Sequence, residues 1–232
     1  MKLIKYLANL GYGSRREVTA MVHRQCVTRR DGSIVRDGDM FDHADLLVDA
    51  QPLDPPPGAV LMLYKPTGLV CSAKDAAPLI YELLPRRFLL RSPIMAPVGR
   101  LDRDTSGLLL ITDDGKINHR LASPKTHLPK VYDAQLATEL RGDEAAVFGS
   151  GTLMLNNEAA PLLPAALEVL GPRTARITLY EGRYHQVRRM FAAMGNHVVA
   201  LHRRSIGALE LASLDVGRWR ELSADEVAAL LL

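Results

Sequence analysis

Cysteine is nearly absent from this sequence: Cys26 and Cys71 are the only two in 232 residues. They form no Cys-x-x-Cys spacing, which argues against a thiolate zinc site and a disulfide framework and fits a reducing compartment. Long apolar runs are missing too. Nothing reaches the roughly 18 consecutive apolar residues a membrane helix needs. Lys2 and Lys5 flank a short apolar stretch, but Asn9-Leu10-Gly11 ends it too early for a secretory signal. A cytoplasmic monomer with no membrane contact and no metal is expected.

A large excess of one charge is also lacking, since the net charge is only +3. Its distribution is uneven. Residues 1–36 hold eight Lys and Arg against Glu17 and Asp31, whereas residues 37–54 hold six Asp and no Lys or Arg. Residues 173–204 hold seven Arg against Glu181 alone. Two separated basic regions in a weakly basic chain fit two contacts to a polyanion, and solvated faces are the plainer alternative.

What is present centres on Gly99-Arg100-Leu101-Asp102-Arg103-Asp104-Thr105-Ser106-Gly107, followed by Leu108-Leu109-Leu110-Ile111. Carboxylates and guanidinium groups alternate, then an apolar run reads as a buried strand. A polar loop feeding a buried strand keeps its side chains reachable on a rigid base. Such charges serve catalysis or a surface ion-pair ladder equally well on spacing alone. A hydrolase using Asp102 and Asp104 as paired carboxylates is one reading. On a strand they would share a face about 7 Å apart.

Gly-Arg-Leu-Asp-Arg-Asp-Thr-Ser-Gly-Leu-Leu resembles the signature of the RNA pseudouridine synthases of the ribosomal small-subunit type. Further pieces follow in order. Tyr64-Lys65-Pro66-Thr67-Gly68 with Ser72 resembles one family element, Lys130-Val131-Tyr132 another, and Glu181-Gly182-Arg183-Tyr184-His185-Gln186-Val187-Arg188-Arg189-Met190-Phe191 a third. The Tyr184-His185 and Asn196-His197 positions resemble the small-subunit branch more than its large-subunit relatives. The resemblance implies Asp102 as the catalytic residue, Arg188 as its basic partner, and Tyr132 against the target base. It implies small-subunit (16S) ribosomal RNA as substrate, free or in an assembly intermediate with ribosomal proteins, with uridine 516 as target. Expected RNA contacts are Arg15, Arg16, Arg24, Lys65, Arg100, Arg183, His185 and Arg189. Isomerising uridine breaks a C–N bond and makes a C–C bond to the same ribose, so no redox, metal or nucleotide cofactor is expected. Burial disfavours a carboxylate's charge and a guanidinium within about 4–6 Å restores it, which is the physical reason for an Asp102–Arg188 pair. A large-subunit RNA target and a noncatalytic RNA-binding protein are the alternatives.

The rest of the chain supplies the frame. Leu3, Leu7 and Leu10 share one helical face, and Ser14-Arg15-Arg16-Glu17 reads as a capping box opening a second helix. Val27-Thr28, an Asp31-Gly32 turn and Ile34-Val35 read as a hairpin, with a strand at Leu46-Leu47-Val48. This N-terminal part resembles an S4-type RNA-binding domain, although Gln25-Cys26 replaces the glycine usual before its hairpin. The expected domains are an S4-like unit over 1–50, a proline-rich extended linker over 51–58, and a synthase domain over 59–232. Strands are predicted at 60–64, 130–136, 165–170 and 174–180 and near 208–211 and 218–220. Helices are predicted at 117–122 (stopped by Pro124), at 143–149, and from Val187, whose stripe continues through Met190, Phe191 and Met194. Ser223-Ala224-Asp225-Glu226 is a second capping box. The fold class is α+β, with a central mixed, largely antiparallel sheet flanked by helices.

Overall fold

The structure, a computed structural model, describes residues 1–72, 74–123 and 126–231. The chain begins with α1 (Leu3–Asn9) and α2 (Arg15–His23), followed by β1 (Val27–Arg29), β2 (Leu46–Val48) and β3 (Gln51–Pro52). Leu3, Leu7 and Leu10 of the first face pack with Val18, Val27, Leu46 and Val48 into a core of their own. The Ser14–Glu17 capping box forms, with both reciprocal hydrogen bonds made. Gln25, two residues before β1, takes a left-handed backbone (φ 60°), a conformation that favours glycine.

Two expectations about this part need correction. The predicted hairpin reduces to a single bridge between Thr28 and Ile34, and the full partner of β1 is β2. Ile34 is exposed, whereas Leu46 and Val48 bring buried side chains to that pairing. The proline-rich segment is also no free spacer. Gln51–Pro52 adds an edge strand to the small sheet. Beyond it, Asp54 receives a bidentate hydrogen-bond pair from Arg87 at 2.6 and 2.9 Å. The buried Arg91 donates to the Pro55 carbonyl and pairs with buried Asp113 at 2.8 Å.

The second sheet comprises β4 (Val60–Lys65), β5 (Ala96–Pro97), β6 (Thr105–Thr112), β7 (Lys130–Leu136), β8 (Ala166–Gly171), β9 (Thr174–Leu179), β10 (Val198–Ile206), β11 (Leu209–Glu210) and β12 (Trp219–Glu221). Its order is β12-β4-β6-β10-β7-β9-β8, with β5 beside β6 and β11 beside β10. Every pairing is antiparallel except β6 with β10. Helices α3 (Arg87–Leu90), α4 (Gly115–Ala122), α5 (Glu144–Gly149), α6 (Gln186–Ala193) and α7 (Ala224–Leu231) cover it. The expected stop of α4 at Pro124 lies outside the described residues.

The unbroken apolar runs of β4 and β6 follow from burial on both faces. Leu61, Leu63, Leu109 and Ile111 face one core with Phe88, Phe148, Met190 and Phe191. Val60, Met62, Leu108 and Leu110 face the other with Leu121, Ile206 and Leu230. Each such side chain contributes about 1.5–3 kcal/mol, so β6 is fixed firmly where the loop before it begins.

Gly107 marks the closest strand contact. It lies between Lys65 of β4 and Arg203 of β10 at φ 119°. A Cβ there would overlap the Arg203 carbonyl. Gly107→Ala is expected to cost more than about 2 kcal/mol in urea unfolding, because both the backbone angle and the space are wrong. An unchanged urea midpoint would contradict this packing.

Candidate active site

Residues 99–104 form the loop that enters β6. Leu101 drops its side chain into the core, which turns the flanking Arg100 and Asp102 outward. The Thr105 amide closes the turn onto the Asp102 carbonyl at 3.1 Å. From below, Lys65 Nζ donates to the carbonyls of Thr105 (2.8 Å), Asp102 (3.0 Å), Pro66 (3.0 Å) and Arg103 (3.4 Å). From the side, Arg103 Nε donates to the Gly68 carbonyl, and Gly68 N returns a bond to Arg103 O at 2.7 Å.

The opposite wall is the start of α6. Val187, Met190 and Phe191 are buried, as the helical stripe predicts. Buried Gln186 accepts from Arg183 N and donates to Glu181, whose carboxylate also takes Leu163 N. This bracing holds His185 in a left-handed backbone at φ 47°, a conformation that costs a non-glycine residue of order 1 kcal/mol or more. The ring stacks on exposed Tyr184 at 3.8 Å and brings Nε2 to 3.2 Å from Asp102 Oδ1.

Arg188 reaches the same loop. Its Nη1 donates to Val198 O at 2.8 Å, Nη2 pairs with Asp104 Oδ2 at 3.0 Å, and Nε stands 3.9 Å from Asp102 Oδ2. The arginine therefore serves both carboxylates, and its short contact is to Asp104. This corrects the paired-carboxylate hydrolase reading. The strand starts only at Thr105, and Asp104 is turned to solvent and neutralised by Arg188.

Between these walls lies a cleft of about 650 Å³ lined by Asp102, Tyr132, His185, Lys130, Arg203 and Arg100 among others. That is ample for a nucleoside. Tyr132 is nearly buried, and its hydroxyl accepts from Arg203 Nη1 at 3.4 Å. Among the described residues no group of His, Cys, Asp and Glu is arranged to hold a metal ion.

A family model described as RNA pseudouridylate synthase matches residues 59–193. The chain belongs to the RNA pseudouridine synthases. Over 239 residues, all of both chains, the synthase is 40% identical to the ribosomal small subunit pseudouridine synthase A of Escherichia coli strain K12. It is 47% identical over 175 residues to the protein of that name from Pasteurella multocida, covering 74% of this chain and 73% of that one. A solved structure described as a pseudouridylate synthase shares 36% identity at a TM-score of 0.70, with 99% of each chain covered.

Several expected RNA contacts of the synthase are instead structural. Lys65 is fully buried and spends its ammonium on backbone carbonyls. Burial pushes its pKa below the ordinary lysine value. Arg183 pairs with Glu181 and Glu158 and donates to the Ala160 and Pro161 carbonyls. Arg189 pairs with Glu158 at 2.6 Å and donates to Tyr184 O and Asn156 O. Both strap the 156–161 loop to the base of α6 and are not free for phosphate. Of the seven Arg in 173–204, six have protein partners, and exposed Arg173 is the exception among the described residues. The second basic region is thus no phosphate patch. Arg15, Arg16 and Arg24 are exposed and make no ion pair among the described residues, and Arg100 is exposed at the cleft rim.

Sequence reasoning missed Arg203 and Lys130 in the cleft. Strand alternation was the available signal for Arg203, which is in phase with buried Leu201 and Ser205. Lys65→Met keeps the volume but leaves the loop carbonyls without donors. A loss of about 2–3 kcal/mol in chemical unfolding is expected. The single-turnover rate should fall while RNA affinity holds. A variant of wild-type stability would show that the loop does not depend on this ammonium.

Proposed function

We propose that the protein converts one uridine of small-subunit ribosomal RNA, uridine 516, to pseudouridine, with Asp102 as the catalytic carboxylate. The observation that supports this most directly is the setting of Asp102: side chain 29% exposed, in a nucleoside-sized cleft, flanked by His185 and Arg188. The Escherichia coli relative carries the small-subunit designation over the full length of the chain and the Pasteurella multocida one over 74% of it, which favours that RNA over the large-subunit one.

The reaction detaches uracil from C1′ through N1 and reattaches it through C5. A carboxylate beside C1′ serves as nucleophile or as counter-charge to the electron-poor sugar carbon. Arg188 and His185 keep that carboxylate oriented from two sides. The target nucleotide must leave its helix to enter the cleft, and Tyr132 offers the flipped base an aromatic surface.

The N-terminal unit, with its own core and three-stranded sheet, serves as an S4-like RNA-binding domain. Arg15, Arg16 and Arg24 act as phosphate contacts and Arg100 steadies the strand displaced at the rim. This division places binding charge outside the cleft and chemistry within it.

Asp102→Asn is isosteric and removes only the charge. On unmodified small-subunit RNA it is expected to lower pseudouridine formation by about 10³-fold or more, with RNA affinity within about twofold, as read by tritium release from 5-³H-uridine and chemical mapping. Modification at another nucleotide would sink the assignment of uridine 516, and an active Asp102→Asn would sink that of the carboxylate. Replacing Arg15, Arg16 and Arg24 together by Ala should lower the slope of log affinity against log salt by up to about 2–3, since each phosphate contact contributes about 0.7–0.9. An unchanged slope would remove them from the interface.

A further inference from the structure

Among the described residues, four buried side-chain polar atoms have no hydrogen-bond partner: Arg91 Nε, Thr105 Oγ1, Arg188 Nε and Arg203 Nη2. Arg203 stands apart from the rest. It is 3% exposed, lines the cleft, and makes no ion pair among the described residues. Two of its nitrogens are used: Nε donates to Leu108 O at 2.7 Å, and Nη1 reaches the Tyr132 hydroxyl. These bonds fix the guanidinium between β6 and β7 and leave Nη2 as surplus.

The neighbouring charges sharpen the point. Lys130 also lines the cleft, and burial together with the charge of Arg203 pushes its pKa below the ordinary lysine value. Burial also lowers that of Lys65, where Arg203 adds a smaller push in the same direction against the opposing charges of Asp102 and Asp104. A buried guanidinium beside two ammonium groups, with no carboxylate against it, costs stability. Such a cost is met at sites where a ligand brings the negative charge.

We propose that Arg203 is a further catalytic residue, whose Nη2 donates to a carbonyl oxygen of the departing uracil and carries the negative charge of that base. The inference rests on the reaction proposed above. When C1′–N1 breaks heterolytically, the bonding pair stays on the base, and its charge spreads from N1 onto O2 and O4. The carbon left electron-poor faces Asp102. After the base turns, C5 supplies the pair for the new bond to C1′, the C5 proton passes to solvent, and N1 takes up a proton. No net charge or oxidation change results. A fixed, buried donor placed against charge that develops during the reaction accounts for about 10²–10³ in rate.

The test compares Arg203→Gln and Arg203→Lys on RNA carrying either uridine or 5-fluorouridine at the target, with the N-glycoside followed in single turnovers. Fluorine withdraws electrons and makes the base a better leaving anion, so less depends on the guanidinium. Arg203→Gln is expected to lose about 10²-fold on uridine and about tenfold or less on 5-fluorouridine, with RNA affinity within about threefold. Arg203→Lys, which keeps a cation, should fall between. It also carries the comparison if the Gln variant does not fold, its loss on uridine shrinking on 5-fluorouridine. Equal losses on both substrates would assign Arg203 to packing, and a loss of affinity with the rate kept would assign it to a phosphate. Either outcome overturns the proposal. If wild type forms no pseudouridine, or Asp102→Asn forms it normally, the reading of the reaction fails instead.

Discussion

One buried ammonium holds the site in place. Lys65 comes from the end of β4, the residue across from Gly107, and grips the carbonyls of Asp102 and Arg103 in the loop and of Thr105 at the start of β6. A loop of alternating charges has no apolar side chain to anchor it except Leu101. Without donors from below, its carbonyls would turn to water and Asp102 would move with them. The strands that carry Lys65 and Gly107 are buried on both faces, so this fixed point inherits the rigidity of two cores. The helix side is braced independently by Gln186 and Glu181, and the two halves meet where His185 and Arg188 reach Asp102 and Asp104.

Much of this was legible in the sequence, and the failures share one cause. The helical stripe from Val187, both serine capping boxes and the continuous runs of β4 and β6 follow from local rules of periodicity and capping. The loop signature and the His-Gln-Val-Arg segment are contiguous, so the residues that meet at the site were readable as a set. What was misread were charges. Lys65, Arg183 and Arg189 look like phosphate contacts when counted along the chain. Apart from Glu181 beside Arg183, their partners are backbone carbonyls and Glu158, and the distance in sequence to most of them (for Lys65 to Thr105, 40 residues) hides them. The proline-rich segment was misread for the same reason, because Arg87 and Arg91, which fasten it, lie more than thirty residues away.

This reassignment changes how a weakly basic protein engages RNA. With most of the arginines near the second signature consumed internally, the basic run in the first 36 residues and Arg100 at the rim gain weight as the charge that meets phosphate. On the reading proposed above, electrostatic affinity and the chemical step draw on different side chains. Salt should act more on the first than on the second, because Asp102 and Arg188 are only partly exposed in the cleft.

Within the cleft, the charges are arranged along a direction and do not simply sum. Asp102, with the Arg188 guanidinium and the His185 ring beside it, defines an anionic point at the loop. Arg203, backed by Lys130 and in no ion pair among the described residues, defines a cationic end against the sheet. A glycosidic bond that breaks heterolytically acquires the reverse polarity, electron-poor at the sugar and electron-rich at the base. A uridine lying between the two ends, ribose toward the loop and uracil toward β10, would find each developing charge facing its opposite. Such a field needs no rearrangement as the bond breaks, which is the condition under which fixed charges lower a barrier most. It also gives one physical reason for the three structural extravagances of the site: a buried unpaired guanidinium, a left-handed histidine and a lysine spent on carbonyls. Each holds one end of that polarity in place.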